Sequence, residues 1–152
     1  MRRTRTKTIV AIGAVALLGM FALAQAVPYG RAHSNPGVVA EPAWDAPATR
    51  VLAERACFDC HSNQTRWPWY SHVAPMSWLV QNHVDEGRAV LNFSEWNRAQ
   101  HEAGEAGESV REGEMPPRSY VLLHPEARLG PTERDLLSRG LDASLGTSAH
   151  DD

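Results

Sequence analysis

Residues 57–61 read Cys57-Phe58-Asp59-Cys60-His61, and the chain has no other cysteines. Two thiols three residues apart, followed at once by a histidine, admit three chemistries. A thioredoxin-type dithiol needs a βαβ setting, which no neighbouring segment supplies. A tetrahedral zinc site needs four ligands, and there is no second cysteine pair. Covalent haem attachment needs only the two thiols and the adjacent imidazole. Thiols on one helical turn reach the two vinyl groups on one edge of a porphyrin, and the next residue projects its ring beneath the iron. The pattern predicts one haem c held covalently by Cys57 and Cys60, with His61 as proximal iron ligand. A zinc site and a plain disulfide beside a bystander histidine are the alternatives.

Outward from this motif the pattern is helical. Asp45-Ala46-Pro47 reads as a helix start with proline in the first turn, and Val51, Leu52 and Ala56 give that helix an apolar stripe running into Cys57. A Trp- and Pro-rich loop follows from Asn63 to Tyr70. A second helix is expected from about Pro75 to Arg88, with Met76, Leu79, Val80, His83 and Val84 on one face. Ser94 reads as the cap of a third, with Trp96, Ala99 and Ala103 inward and Gly104 and Gly107 weakening it. Glu114-Met115-Pro116-Pro117 stops all helix, and a loop is expected through Tyr120 to Pro125. The last helix starts near Pro131, with Leu136, Leu137 and Leu141 inward. No stretch alternates at period two and no repeat is visible. The expected fold class is all-α: a small helical domain around one haem. Its short helices and long connections leave little apolar area to offset chain entropy.

For the second axial position Met115 is the best candidate. It lies between Gly113 and two prolines, in a polar loop rather than on an apolar face. His72, His83, His124 or an open position are the alternatives among the ligand classes open to protein haem. Trp67, Trp69, Tyr70 and Trp78 are candidates to wall the macrocycle, or ordinary core. Arg66, Arg88 and Arg118 are candidates to meet its propionates, or solvated surface.

The 152 residues suffice for one small domain. The formal net charge of −3 is unevenly spread. Arg2, Arg3, Arg5 and Lys7 precede 19 uncharged residues, Ile9–Val27, while the 144 residues after the first eight hold 11 arginines, no lysine and all 18 Asp and Glu. An acidic body excludes nucleic acid as a partner, since phosphate binding needs a basic face. As a helix the apolar run spans roughly 28 Å, close to a bilayer's hydrocarbon thickness. The flanking cations stay in the cytoplasm by the positive-inside rule, placing the rest outside, with Tyr29 and Arg31 as interface anchors. A retained signal anchor is expected; cleavage near Ala24-Gln25-Ala26 is the alternative. The expected organisation is a transmembrane anchor over 1–28, a Pro-rich linker over 29–46, the haem domain over 47–146 and a disordered tail over 147–152.

The run CFDCHSNQTRWPWYSHVAPMSWLVQNHVDEGRAVLNFSEW (57–96), followed by EGEMPPRSYVLLHPEARLGPTERDLL (112–137), resembles the haem-binding domain family of small bacterial c-type cytochromes, membrane-anchored or exported. The likeness covers roughly residues 34–142. CxxCH is shared by every cytochrome c; the WPWYS, NFSEW, MPP and HPEA blocks are far more specific. The resemblance implies haem on Cys57 and Cys60, His61 as proximal ligand, and a place outside the cytoplasmic membrane. It also implies a cytochrome c-like helical fold, with a Met loop preceding a last helix that crosses the first. Gly140 and the glycine-rich 103–109 segment depart from the pattern. The expected function is single-electron transfer with an unidentified redox partner protein, at the periplasmic face of a bacterial cytoplasmic membrane, without enzymatic turnover. A haem-based gas or redox sensor with a displaceable sixth ligand is the alternative, and a peroxidase-like enzyme a third.

Overall fold

The computed structural model describes residues 2–146; the tail expected over 147–152 lies outside the described residues. Among the described residues the fold is all-helical, as expected. The helices are α1 (Arg2–Ala24), α2 (Pro47–Ala56), α3 (Phe58–His61), α4 (Met76–Val90), α5 (Ala106–Glu112), α6 (Arg118–Leu123) and α7 (Pro131–Leu145). Three short 3-10 helices cover Trp69–His72, Ala103–Glu105 and Pro125–Ala127. Among the described residues the extended backbone forms one isolated bridge, Ala40–Glu95. The chain forms two compact units: one from Met1–His33 and Trp67–Asn82, the other from Ser34–Arg66 and His83–Asp152.

In the first unit, α1 contains a 19-residue stretch, Thr6–Ala24, of mean hydropathy 2.1, none of it buried in the protein. It is long and apolar enough to cross a membrane, as a signal sequence also is, and its exposure excludes a core helix. The chain beyond it is extended, as the prolines require, but it is not a free tether. Gly30 has φ +78°, and a Cβ there would stand 2.3 Å from the Ser77 carbonyl oxygen, so both the conformation and the close approach demand glycine. His33 Nε2 donates to the Ser71 carbonyl at 3.0 Å, and its ring packs against Trp67 and His72.

In the second unit, α7 packs on α5 and α2. The core consists of Leu52, Ala53 and Ala56 of α2, Phe58, Leu91, Phe93, Val110, Leu129, and Leu137 and Leu141 of α7. Val51 and Leu136, expected inward, are exposed. The rotation of both helices is set where they cross: a Cβ on Gly140 would lie 2.2 Å from Thr49 Oγ1. This crossing turns Thr49, Leu52, Ala53 and Ala56 inward on α2 and Leu137, Ser138 and Leu141 on α7. Gly107 plays the same part on α5, where a Cβ would meet Asp142 and the Ser138 carbonyl. Gly140→Val is expected to destabilise the fold by about 1–3 kcal/mol, the usual cost of overpacking. Urea denaturation checks this, and adding Thr49→Ala should recover part of the loss.

The helix expected from Ser94 does not form. The Ser94 carbonyl accepts hydrogen bonds from the Val39 and Ala40 amides, and the Trp96 amide donates to the Ala40 carbonyl. These long-range bonds claim the backbone groups that a local helix would use. Ser94 itself is buried, its hydroxyl accepting from the Asn63 amide at 2.9 Å. Residues 34–41, expected within the linker, are thereby built into this unit; the Asn35 amide group also donates to the Thr65 carbonyl at 2.8 Å. Helix resumes only at α5 and is ended by Gly113 in the left-handed region. The expected loop through Tyr120 instead contains α6, bracketed by Pro117 and Pro125. On α4 the buried positions are Ser77, Val84 and Gly87, while Leu79 and His83 face outward. The last helix begins as expected: Pro131 occupies its first turn and Glu133 accepts the Gly130 N–H at 2.9 Å.

Candidate haem-binding site

The Cys57 amide closes α2 on the Ala53 carbonyl, and the backbone breaks there with φ −123°. A single new turn follows, in which the Cys60 and His61 amides donate to the Cys57 carbonyl at 3.1 and 2.9 Å. The sequence spacing thus becomes one short turn bearing both thiols and the imidazole. Phe58 pins this turn into the core, stacked on Phe93 with ring centroids 5.5 Å apart. From the other side α4 approaches so closely that a Cβ on Gly87 would lie 2.6 Å from the Cys60 carbonyl oxygen.

That approach fixes the imidazole. His61 Nδ1 lies 3.1 Å from the Gly87 carbonyl and 3.1 Å from the Leu91 carbonyl. Both partners only accept, so Nδ1 is the donor, and the neutral ring carries its lone pair on Nε2. Burial lowers the His61 pKa against the opposing pull of these two bonds, so the ring is neutral at pH 7. A histidine that ligates iron needs this arrangement: the far nitrogen tied to the protein, the near one basic and oriented.

The thiols suit the same use. Cys57 and Cys60 are not joined in a disulfide. Burial pushes the Cys57 thiol up to about 12 and the Cys60 thiol to about 11, with Cys60 and Asp59 respectively adding to the rise. A redox dithiol requires the opposite, a thiol activated by a depressed pKa. Among the described residues no three His, Cys, Asp or Glu side chains gather into a metal-ligating group. Two neutral thiols and one pre-oriented imidazole on a single turn fit a haem.

Met115 follows Gly113 on the loop closing α5, its amide donating to the Ser109 carbonyl at 3.1 Å. Its side chain is 39% exposed and lies outside the hydrophobic cluster. The other axial candidates are dispersed. His72 belongs to the first unit, His83 is exposed on α4, and His124 stacks on Tyr120 with centroids 4.3 Å apart. Two of the three candidate arginines are committed elsewhere. Arg66 grips both Asp59 carboxylate oxygens, at 3.1 and 3.2 Å. Arg88 donates to the Ser62 and Ser34 carbonyls, Asn35 and Thr65, holding the chain that leaves the motif. Arg118 is exposed at the start of α6. The loop aromatics Trp67, Trp69, Tyr70 and Trp78 belong to the first unit.

Sequence reasoning missed Gly87, Leu91, Asp59 and Tyr120. The Tyr120 hydroxyl donates to Asp59 Oδ2 at 2.6 Å, tying α6 to α3, and burial followed by this hydrogen bond pushes its pKa up. The available signal was an acid between the two cysteines, which needs neutralising partners once buried.

A helical fold with a CxxCH turn, neutral thiols and a histidine fixed through Nδ1 defines a haem-binding protein. The chain matches the family described as "Haem-binding domain" over residues 19–143. It belongs to that family. The match reaches back beyond residue 34 into α1, further than the resemblance read from the motif blocks. No curated protein and no solved structure matches the chain.

Proposed function

We propose that this haem-binding domain is a membrane-anchored c-type electron carrier. Cys57 and Cys60 hold the porphyrin as thioethers, His61 is the proximal ligand and Met115 the distal one. The single observation that carries this reading is the His61 geometry, with Nδ1 tied to two carbonyls and Nε2 left basic, on the turn that bears both thiols. The bound haem supplies a one-electron iron couple, and methionine opposite histidine raises its potential. With both axial positions taken by protein there is no place for substrate, so the domain carries electrons without turnover. Its acidic body favours a basic redox partner protein.

The proposed location is the outer face of a bacterial cytoplasmic membrane. Four cations lie in the first eight residues, ahead of the uncharged run Ile9–Val27, which sets the orientation of α1. Retention of the anchor is supported by Gln25, whose side chain bonds to both the N–H and the carbonyl of Ala74. Cleavage after Ala26 would remove both bonds.

Spectroscopy and voltammetry of the membrane-extracted protein test the carrier reading. The expected result is a low-spin reduced spectrum unchanged by CO and a reversible one-electron wave. Ready CO binding by the reduced protein would overturn it in favour of the sensor.

A further inference from the structure

The first unit contains an exposed surface and none of the proposed haem ligands. Its centre is Gln25, the first residue after the apolar stretch. The Gln25 amide nitrogen donates to the Phe21 and Ala74 carbonyls at 3.1 and 3.0 Å. Its oxygen accepts from the Ala74 amide at 3.0 Å and from Arg31 at 3.2 Å. All four hydrogen-bonding positions of the side chain are used. Gln25 thus caps the last turn of α1 and pins Ala74 to the end of the apolar helix. The 3-10 helix Trp69–His72 ends one residue, Val73, before Ala74, so it is tied closely to the same point.

That region has an unusual surface. Trp69 is 79% exposed, and Val27, Tyr29, Val73 and Leu79 of the same unit are also exposed. The Trp69 indole meets the Tyr70 ring edge-on, with centroids 5.9 Å apart, and leaves most of its surface to water. The unit also has no acidic residue: all 18 Asp and Glu of the chain fall outside it, while Arg31 lies within it. Exposed tryptophan and tyrosine, a cation and an absence of acids, all fixed to the end of an apolar span, match the composition of a membrane–water interface.

We infer that Trp69 and Val73, with Val27 and Tyr29, form a lipid-facing surface seated in the headgroup layer of the membrane that α1 crosses. The inference rests on the proposed retention of α1, with which the surface is continuous. The first unit is then a foot on the bilayer rather than a passive stretch of the electron carrier.

Hydroxyl-radical footprinting tests this on the full-length haem-loaded protein, one chain per nanodisc of phosphatidylcholine and phosphatidylglycerol. Leu122, equally exposed at 79% but in the other unit, is the internal reference. After normalisation for intrinsic reactivity, Trp69 and Val73 are expected to lose modification while Leu122 keeps it. In parallel, a phosphatidylcholine with a diazirine near its headgroup should label the peptide containing Trp69, and Trp69→Glu should weaken that labelling. Oxidation of Trp69 to the same normalised extent as Leu122 overturns the lipid-facing surface. Alkaline carbonate extraction of native membranes separates this from failure of the anchor. A chain released by carbonate overturns anchor and surface together, whereas a retained chain with an oxidised Trp69 overturns the surface alone.

Discussion

Replacing His61 with alanine is expected to leave a coloured protein that has lost its low-spin spectrum. On the proposed reading the thioethers to Cys57 and Cys60 survive the change, so haem stays on the chain through acid–acetone extraction. The iron loses its proximal ligand and the Leu91 carbonyl loses the His61 N–H, while the Gly87 carbonyl keeps the Leu91 amide at 3.0 Å. A buried acceptor left unpaired costs about 1–3 kcal/mol, so the variant should also unfold at lower urea concentration. Added imidazole should restore the low-spin spectrum. A second arm, Cys57→Ser with Cys60→Ser, should do the reverse and make the haem extractable. The acid limb of the haem-free chain's stability follows from the same residue. Burial places the folded His61 pKa below its ordinary 6.5. The unfolded chain therefore binds the extra proton first, and the stability this group contributes is complete above about pH 6.5 and lost as pH falls through the lowered folded value. In the haem-free chain urea stability should begin to fall below about pH 6.5, and iron held on Nε2, which competes with the proton, should move that fall to lower pH. A His61→Ala protein with an unchanged spectrum would remove the proximal assignment altogether.

The parts of the molecule legible in the sequence are those whose physics is local. Five consecutive residues carry the thiols and the imidazole, and one turn suffices to bring them together. Pro47 and Pro131 mark helix starts because proline fits the first turn and little else in a helix. The apolar stretch of α1 is visible from its length alone. What escaped is what distant residues decide. Helix α6 spans six residues, under two turns, and that is too short for a periodic stripe. The backbone after Phe93 has helical potential, but the Val39 and Ala40 amides both claim the Ser94 carbonyl from more than fifty residues away. Gly107 and Gly140 look like weak points in helices; in the fold they are the places where α7 comes close to α5 and α2. The same contact turned Val51 and Leu136 outward. Likewise, no spacing rule ties Gly87 to the motif: its role is to let α4 approach Cys60 until its own carbonyl and that of Leu91 reach the His61 ring.

Met115→Ala should show whether the sixth position is a protein ligand, and the surroundings of Met115 make the experiment clean. The side chain is outside the hydrophobic cluster and more than a third exposed. The loop is held through its backbone instead: the Glu114 and Met115 amides both donate to the Ser109 carbonyl, and Gly113 takes the left-handed turn that ends α5. Truncation therefore opens no core cavity, and the stability loss should fall well below the roughly 2–5 kcal/mol typical of a buried methionine. The electronic consequences should be large. On the proposed ligation the oxidised protein loses the weak long-wavelength charge-transfer band of a methionine-bound ferric haem. The reduction potential drops because the thioether that favours the ferrous state is gone, and the reduced iron gains CO binding. A merely structural methionine would give the opposite pattern, with lower stability and unchanged spectrum and potential. That outcome would pass the distal role to the histidines of the same unit, of which His124 has the stronger claim, because Tyr120, against which it stacks, is tied through its hydroxyl to Asp59 inside the CxxCH turn.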